Sequence, residues 1–260
     1  MLGYSVELMI LGFLGTGHIT SSIIEGIFKS KLKINKIYIS NRNKSKAKKL
    51  SRKFRKIKIC KNNQDLIDKS NWIFLAITPV VGNKILKKLH FKKSKKIISL
   101  ISTINIKKLK SFTKNSNVSR VIPLPFIGMK KGPIIICPAN KKLRHFFRHL
   151  GRVFEVKNEK LSKAFWATSS FMASYYKLLS NTCNWLITKG IKRKEAEEYT
   201  KELFLALSED SIYKNKLSLT KLVSSSQTPG GTNAFVLRKL IKERFYQIQK
   251  KTLNNVYKKF

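Results

Sequence analysis

From Ile10 to Leu14 the chain is an apolar run. It breaks at Gly15-Thr16-Gly17-His18-Ile19-Thr20, after which residues 21–26 take helical spacing. This reads as a strand, a tight turn and a helix. About twenty residues later the alternating segment 36–40 reads as a second strand, followed by a charged helix over 44–54 with Ala47, Leu50 and Phe54 on one face. Together they make a βαβ unit. Further apolar segments at 57–60, 72–77, 97–101, 118–122 and 134–137 predict strands, with helical patterns between several of them. Such alternation implies an α/β fold with a mostly parallel sheet. Pro79 and Gly82 take the chain away from the sheet after the 72–77 strand, at the carboxyl edge where open α/β sheets bind ligands.

The pattern changes near residues 151–156. From Glu159 onward only helical periodicity is visible, so the expected division is a sheet domain over 1–157 and an all-helical domain over 158–260. Helices are predicted at 159–188, 192–211, 233–242 and 243–257. The first carries a broad apolar stripe of Phe165, Met172, Tyr175, Leu178, Leu179 and Leu186, which suggests burial against a second copy of the chain, in a homodimer or a larger homo-oligomer, or else core packing within a single copy.

The strand, turn and helix at the start have the chemistry of a dinucleotide pyrophosphate site. Gly15 can take the tight turn, Gly17 offers no side chain to hold phosphates away, and the first amides of the helix favour negative charge. Thr20 departs from the pattern, because a third Gly or Ala usually stands there to let helix and strand pack closely. After the second strand, where a carboxylate would accept the ribose hydroxyls of NAD, the chain reads Ser40-Asn41-Arg42-Asn43-Lys44. Arg42 can pair with a 2′-phosphate and Ser40 or Asn41 can hydrogen-bond it, which favours NADP(H) over NAD(H). Asn43 also suits the N-cap of the next helix.

The net charge of +42, from 55 basic and 13 acidic residues, would ordinarily point to nucleic acid. Here the lysines are scattered over almost every polar segment and the rest of the chain is rich in Ile, Asn and Ser. The pattern is that of lysine filling solvated positions, which argues against a dedicated nucleic-acid site. Cys60, Cys137 and Cys183 are odd in number and lack metal or redox spacing, so buried thiols in a reducing, cytoplasmic setting are expected. No apolar run approaches the roughly 18 residues of a membrane span. The apolar N-terminus lacks the basic leader of a secretion signal. His145 and His149 have neither Glu nor Cys beside them, so no metal site is expected.

Near the C-terminus, Gln227-Thr228-Pro229-Gly230-Gly231-Thr232-Asn233 precedes a helix, and such a turn can hold a carboxylate on its free amides and hydroxyls. It is equally ordinary punctuation before a helix. Taken with Gly12, Gly15 and Gly17, with Phe74-Leu75-Ala76-Ile77-Thr78-Pro79 and with Arg120-Val121-Ile122-Pro123, it makes the chain resemble the pyrroline-5-carboxylate reductase family over nearly its whole length.

The resemblance implies a Rossmann-like N-terminal domain, a helical dimerisation domain, and NAD(P)H reduction of a cyclic imino acid to proline. It also implies roles. Gly12, Gly15, Gly17, Ala76 and Pro79 match the family's cofactor positions, and with Thr16, His18, Ile19, Ser40, Asn41, Arg42 and Thr78, taken from the residues themselves, they are the candidates for the cofactor. Thr228, Gly230 and Gly231 become candidates for the substrate carboxylate, and Thr228, Thr232 and Asn233 for catalysis. Three segments depart from the family pattern. Asn233 replaces a threonine, Ser169-Ser170-Phe171-Met172-Ala173-Ser174 replaces Ser-Gly-Ser-Gly-Pro-Ala, and Pro123-Leu124-Pro125-Phe126 replaces Pro-Asn-Thr-Pro.

Two other readings compete. Lys177 and Asn181, four residues apart on one helix face, resemble the lysine and asparagine pair of β-hydroxyacid dehydrogenases. A non-catalytic derivative that binds a polyanion or a protein partner through its cationic surface is the other.

Overall fold

The computed structural model describes residues 9–259. Contacts divide them into two compact units that part between Trp166 and Ala167.

The first unit alternates strands and helices: β1 (Ile10–Leu14), α1 (His18–Phe28), β2 (Lys36–Ile39), α2 (Lys44–Lys53), β3 (Ile57–Ile59), α3 (Asn63–Lys69), β4 (Trp72–Leu75), α4 (Pro79–Ile85), β5 (Lys96–Ser99), α5 (Ile106–Thr113), β6 (Val118–Ile122), β7 (Pro133–Cys137), α6 (Lys141–Phe147), β8 (Arg152–Glu155) and α7 (Glu159–Ser169). The strands form one sheet in the order β3-β2-β1-β4-β5-β6-β7-β8, parallel throughout except between β6 and β7. The expectation of a mostly parallel α/β sheet is borne out, and the order of the first six strands is that of a doubly wound dinucleotide-binding sheet. β8 is absent from the strands read from sequence. Only four residues long, it alternates exposed and half-buried positions and pairs on one side only, with β7, so it carries little apolar signal.

Successive strand residues face opposite layers, which makes both faces of the sheet apolar. Leu11, Phe13, Trp72 and Phe74 join one core with Ile23, Ile24 and Ile27 of α1, Leu50 of α2, and Phe146 and Phe147 of α6. Leu14, Ile73 and Leu75 join the other with Leu66 and Ile67 of α3 and Leu109 of α5. Phe13 stacks on Phe74 across the β1–β4 pair, with ring centroids 4.4 Å apart. The skewed composition has a structural role: isoleucine fills the strands, while Asn43, Asn62, Asn105 and Asn140 each cap a helix by accepting a backbone N–H.

Arg120 on β6 is buried, donates to the Ile104 carbonyl and pairs with Glu159 of α7 at 3.0 Å. Glu159 also accepts the Ile106 N–H, so one ion pair holds β6, the start of α5 and the start of α7 together. The segment that departs from the family's Pro-Asn-Thr-Pro forms a 3₁₀ turn, Pro125–Met129, packed against α1. Gly26 of α1 has no room for a Cβ, which would sit 2.3 Å from the Ile127 carbonyl oxygen.

In the second unit α8 (Met172–Thr188), α9 (Arg193–Tyr213), α10 (Leu219–Ser225), α11 (Thr232–Lys242) and α12 (Phe245–Tyr257) follow one another. The single helix expected over 159–188 is broken between Ser169 and Met172, where α7 closes on the Ala167 and Thr168 carbonyls. The break falls in the segment that replaces Ser-Gly-Ser-Gly-Pro-Ala. It separates Phe165 from the rest of the expected apolar stripe. The serine-rich α10 was not anticipated either.

Candidate functional site

Two features place a cleft of about 300 Å³ at the carboxyl ends of β1, β2 and β4, where the strand order reverses. The ladders of β1 end at Leu14, and the chain then turns sharply at Gly15, whose φ is +115°. A Cβ on Gly15 would lie 2.1 Å from the Ala76 carbonyl oxygen, so glycine is required there on two grounds. Gly17 has open space where a Cβ would point, within 4 Å of nothing. It is also the N-cap of α1 and supplies no capping side chain. The first amides of α1 therefore lack the asparagine acceptor that α2, α3, α5 and α6 possess, and an anion can take its place.

The cleft is lined by Gly15, Thr16, Gly17, Ser40, Arg42, Ala76 and Thr78 from the expected set. Others depart from expectation. Gly12 lies inside β1 under α3, where a Cβ would strike Ser70 and Leu66; it is a packing glycine, not a cleft residue. Asn41 donates its side-chain amide to the Lys61 carbonyl at 2.6 Å and does not line the cleft. Pro79 is the first residue of α4, and His18 and Ile19 belong to the first turn of α1; none of the three lines the cleft. Ser40 is buried and its hydroxyl oxygen accepts the Gly15 N–H at 3.0 Å, so that oxygen serves the turn rather than a distant phosphate.

Lys46 and Asn63 line the cleft and were not singled out from sequence. Lys46 stands in the first turn of α2, four residues beyond Arg42, and its N–H is the one the expected Asn43 cap accepts. No carboxylate is among the lining residues, and Arg42 and Lys46 give the rim two cations.

The second glycine corner lies in the C-terminal unit. Gly230 has φ +74°, Gly231 N–H donates to the Thr228 carbonyl at 2.9 Å, and Gly231 caps α11 without a side-chain acceptor. Thr228, Gly230, Thr232 and Asn233 are exposed. Asn233 donates its side-chain amide to the Ser226 carbonyl at 3.1 Å, tying the corner to the end of α10 and leaving its carboxamide oxygen as an acceptor. Lys177 and Asn181 are both exposed on α8.

Cys60, Cys137 and Cys183 are buried free thiols. Burial, reinforced by nearby Asp65, pushes the Cys60 thiol up to about 12. His145 and His149 stand edge to face, 5.5 Å apart, with His149 beyond the end of α6. Among the described residues no helix is long and apolar enough to cross a membrane.

The sheet, its reversal point and the glycine turn define a doubly wound α/β fold of the dinucleotide-binding type, and residues 10–105 match the family model described as NADP oxidoreductase, coenzyme F420-dependent. A pyrroline-5-carboxylate reductase of Staphylococcus haemolyticus is 23% identical over 95% of this chain and 94% of its own length. The 1-pyrroline-5-carboxylate reductase of Streptococcus pyogenes superposes with a TM-score of 0.85 at 22% identity, covering 97% of this chain and 98% of that one. The Plasmodium falciparum pyrroline carboxylate reductase, solved with NADP bound, superposes with a TM-score of 0.83 at 21% identity over 98% of both chains. Over nearly its whole length the chain is similar to these pyrroline-5-carboxylate reductases in sequence and fold.

Proposed function

We propose that the chain is an NADPH-dependent reductase that delivers hydride to the C=N carbon of a cyclic imino acid, pyrroline-5-carboxylate, and releases proline. The observation that carries this reading is the cleft at the strand reversal. It joins a side-chain-free glycine turn and the open amides of α1 to a rim bearing Arg42 and Lys46 and no carboxylate. The amides suit a diphosphate, and the two cations suit a 2′-phosphate, which supports NADP(H) over NAD(H). The relatives named above supply the reaction class.

The bound nicotinamide would supply the hydride, so the protein's own task is alignment and charge. Ala76 and Thr78 border the cleft at the end of β4 and shape the floor on which a nicotinamide ring can rest. Thr228 and the Gly230 amide hold the substrate carboxylate, with Thr232 beside them, while Gly231, its N–H given to the Thr228 carbonyl, sets the turn. The Asn233 carboxamide oxygen accepts the N–H of the protonated ring nitrogen, which keeps the adjacent carbon electrophilic. No strong acid is needed when the imine arrives protonated.

Residues 167–259 support a homo-oligomer, because Tyr175, Leu178, Trp185, Tyr199 and Phe235 leave large apolar areas exposed in a single copy. The buried free thiols support a reducing, cytoplasmic setting.

The test follows NADPH absorbance across a panel of cyclic imino acids with 3-hydroxy acids as controls. Oxidation with pyrroline-5-carboxylate is expected. Oxidoreduction only with the hydroxy acids would move the assignment to the Lys177 and Asn181 reading, and salt-sensitive polyanion binding with no turnover would move it to the non-catalytic one. Asn233→Ala should lower turnover while leaving NADPH affinity unchanged; weakened cofactor binding would contradict its role.

A further inference from the structure

At the Gly15 peptide the β1 ladders have run out on both sides. Ser40 N–H reaches back to the Phe13 carbonyl and Ala76 N–H to the Leu14 carbonyl, and nothing further along β2 or β4 pairs with Gly15. Its N–H and C=O still need partners, since unpaired main-chain groups away from water are costly. Both partners are hydroxyls on buried side chains. Ser40 Oγ accepts the Gly15 N–H at 3.0 Å, and Thr20 Oγ1 donates to the Gly15 carbonyl at 2.9 Å. Thr20 is fully buried and Ser40 nearly so, so water competes poorly for either bond.

Thr20 occupies the position where the dinucleotide fingerprint ordinarily calls for a third small residue. Gly26, further along α1, packs instead against the 3₁₀ turn at the Ile127 carbonyl. Residue 20 carries a buried hydroxyl in place of that small residue.

We propose that Thr20 and Ser40 are positioning residues that clamp the Gly15 peptide from its two ends, presetting the turn so that the Thr16, Gly17 and His18 amides are aimed before the ligand arrives. The inference rests on the reading of this turn as the diphosphate site and deepens it. A turn held at φ +115° by two buried hydroxyls needs little ordering on binding, and the saving appears as affinity. Because the clamp acts through the turn, its effect falls on every ligand carrying the diphosphate, whatever its 2′ substituent. Arg42 and Lys46, by contrast, discriminate between 2′ substituents.

The experiment uses the full chain and three ligands, NADPH, NADH and ADP-ribose, whose dissociation constants are measured by titration calorimetry. The variants are Thr20→Val, Thr20→Ser and Ser40→Ala, each with its thermal unfolding recorded. Thr20→Val keeps the shape and removes the hydroxyl. It is expected to weaken all three ligands by the same factor, roughly five- to tenfold, as loss of one buried hydrogen bond implies. Thr20→Ser should restore tight binding, and Ser40→Ala should repeat the uniform loss.

Unchanged dissociation constants in Thr20→Val and Ser40→Ala, even with lower melting temperatures, would reduce the clamp to a stability device and overturn the proposal. A loss confined to NADPH would overturn it too, by placing these hydroxyls with the 2′-phosphate. If Thr20→Val does not fold, the Ser40→Ala and Thr20→Ser titrations decide alone. Failure of the unaltered chain to bind any of the three ligands would instead sink the underlying functional reading.

Discussion

In residues 9–166 isoleucine and phenylalanine fill two cores, one on each face of an eight-stranded sheet, whereas in residues 167–259 only Ala167, Cys183, Ala196 and Thr200 are buried. The first unit removes enough apolar surface from water to offset the entropy of its own ordering. The second, as a single copy, buries far less, and the proposed homo-oligomer would cover its exposed apolar side chains. The contrast extends to the two glycine corners. Gly15 is pressed against a rigid sheet edge and clamped by buried hydroxyls, while Gly230 and Gly231 sit on an exposed turn tied by the Asn233 side chain. A rigid corner suits a large ligand held through fixed amides. An exposed one suits a small acid whose site is completed on binding.

The sharpest way to break this comparison is Gly15→Ala. Left-handed strain and a Cβ pressed on the Ala76 carbonyl together should cost roughly 4 kcal/mol, with NADPH binding lost; Gly230→Ala, strained but unobstructed, should cost much less. Paired thermal melts compare them, and equal losses would erase the distinction. Next comes Glu159→Gln, which leaves buried Arg120 without its carboxylate and should destabilise the first unit by about 3 kcal/mol, read from urea unfolding. Preserved stability would mean the ion pair adds nothing to that core.

Trp185→Lys probes the second unit. Placing a charge on its exposed apolar surface should shift sedimentation to a smaller species and lower apparent stability by roughly 2 kcal/mol, while NADPH affinity is retained. An unchanged sedimentation coefficient would show that this face is not covered by another copy. Arg42→Ala should weaken NADPH about tenfold, or ~1.4 kcal/mol, and leave NADH alone; equal losses would remove the 2′-phosphate assignment. The smallest effect concerns Cys60. With its thiol pushed up to about 12, it stays protonated and unreactive near neutral pH, so its alkylation should track global unfolding. Rapid labelling of the native chain would contradict the dense first core.

What could be read from sequence follows the same division. The run from Ile10 through Gly17, the central strands and the Asn43 cap were legible because each is a local pattern: an apolar run, a turn residue, a capping side chain. The exposed edge strand β8 carried too little apolar signal. The break at Ser170 and Phe171 was hidden because neither residue is a helix breaker, and α10 because serine runs read as loop. Lys46 was lost among 55 basic residues and emerges only when α2 brings it beside the cleft. The partnership of Ser40 with Gly15 spans 25 residues and depends on β1 and β2 lying side by side, which no local pattern encodes. For the same reason Gly12 passed for a ligand-binding glycine until α3 was seen above it.

The central claim is that a dinucleotide diphosphate lies on the main-chain amides of the first glycine turn. Titration of the isotopically labelled protein with NADPH, followed through backbone amide resonances, tests it most directly. The account predicts that the Gly15, Thr16, Gly17, His18 and Ile19 signals move together and saturate with the cofactor, while those of Gly230 and Gly231 respond chiefly to the imino acid. Saturable NADPH binding that leaves the first group of signals unmoved would contradict it.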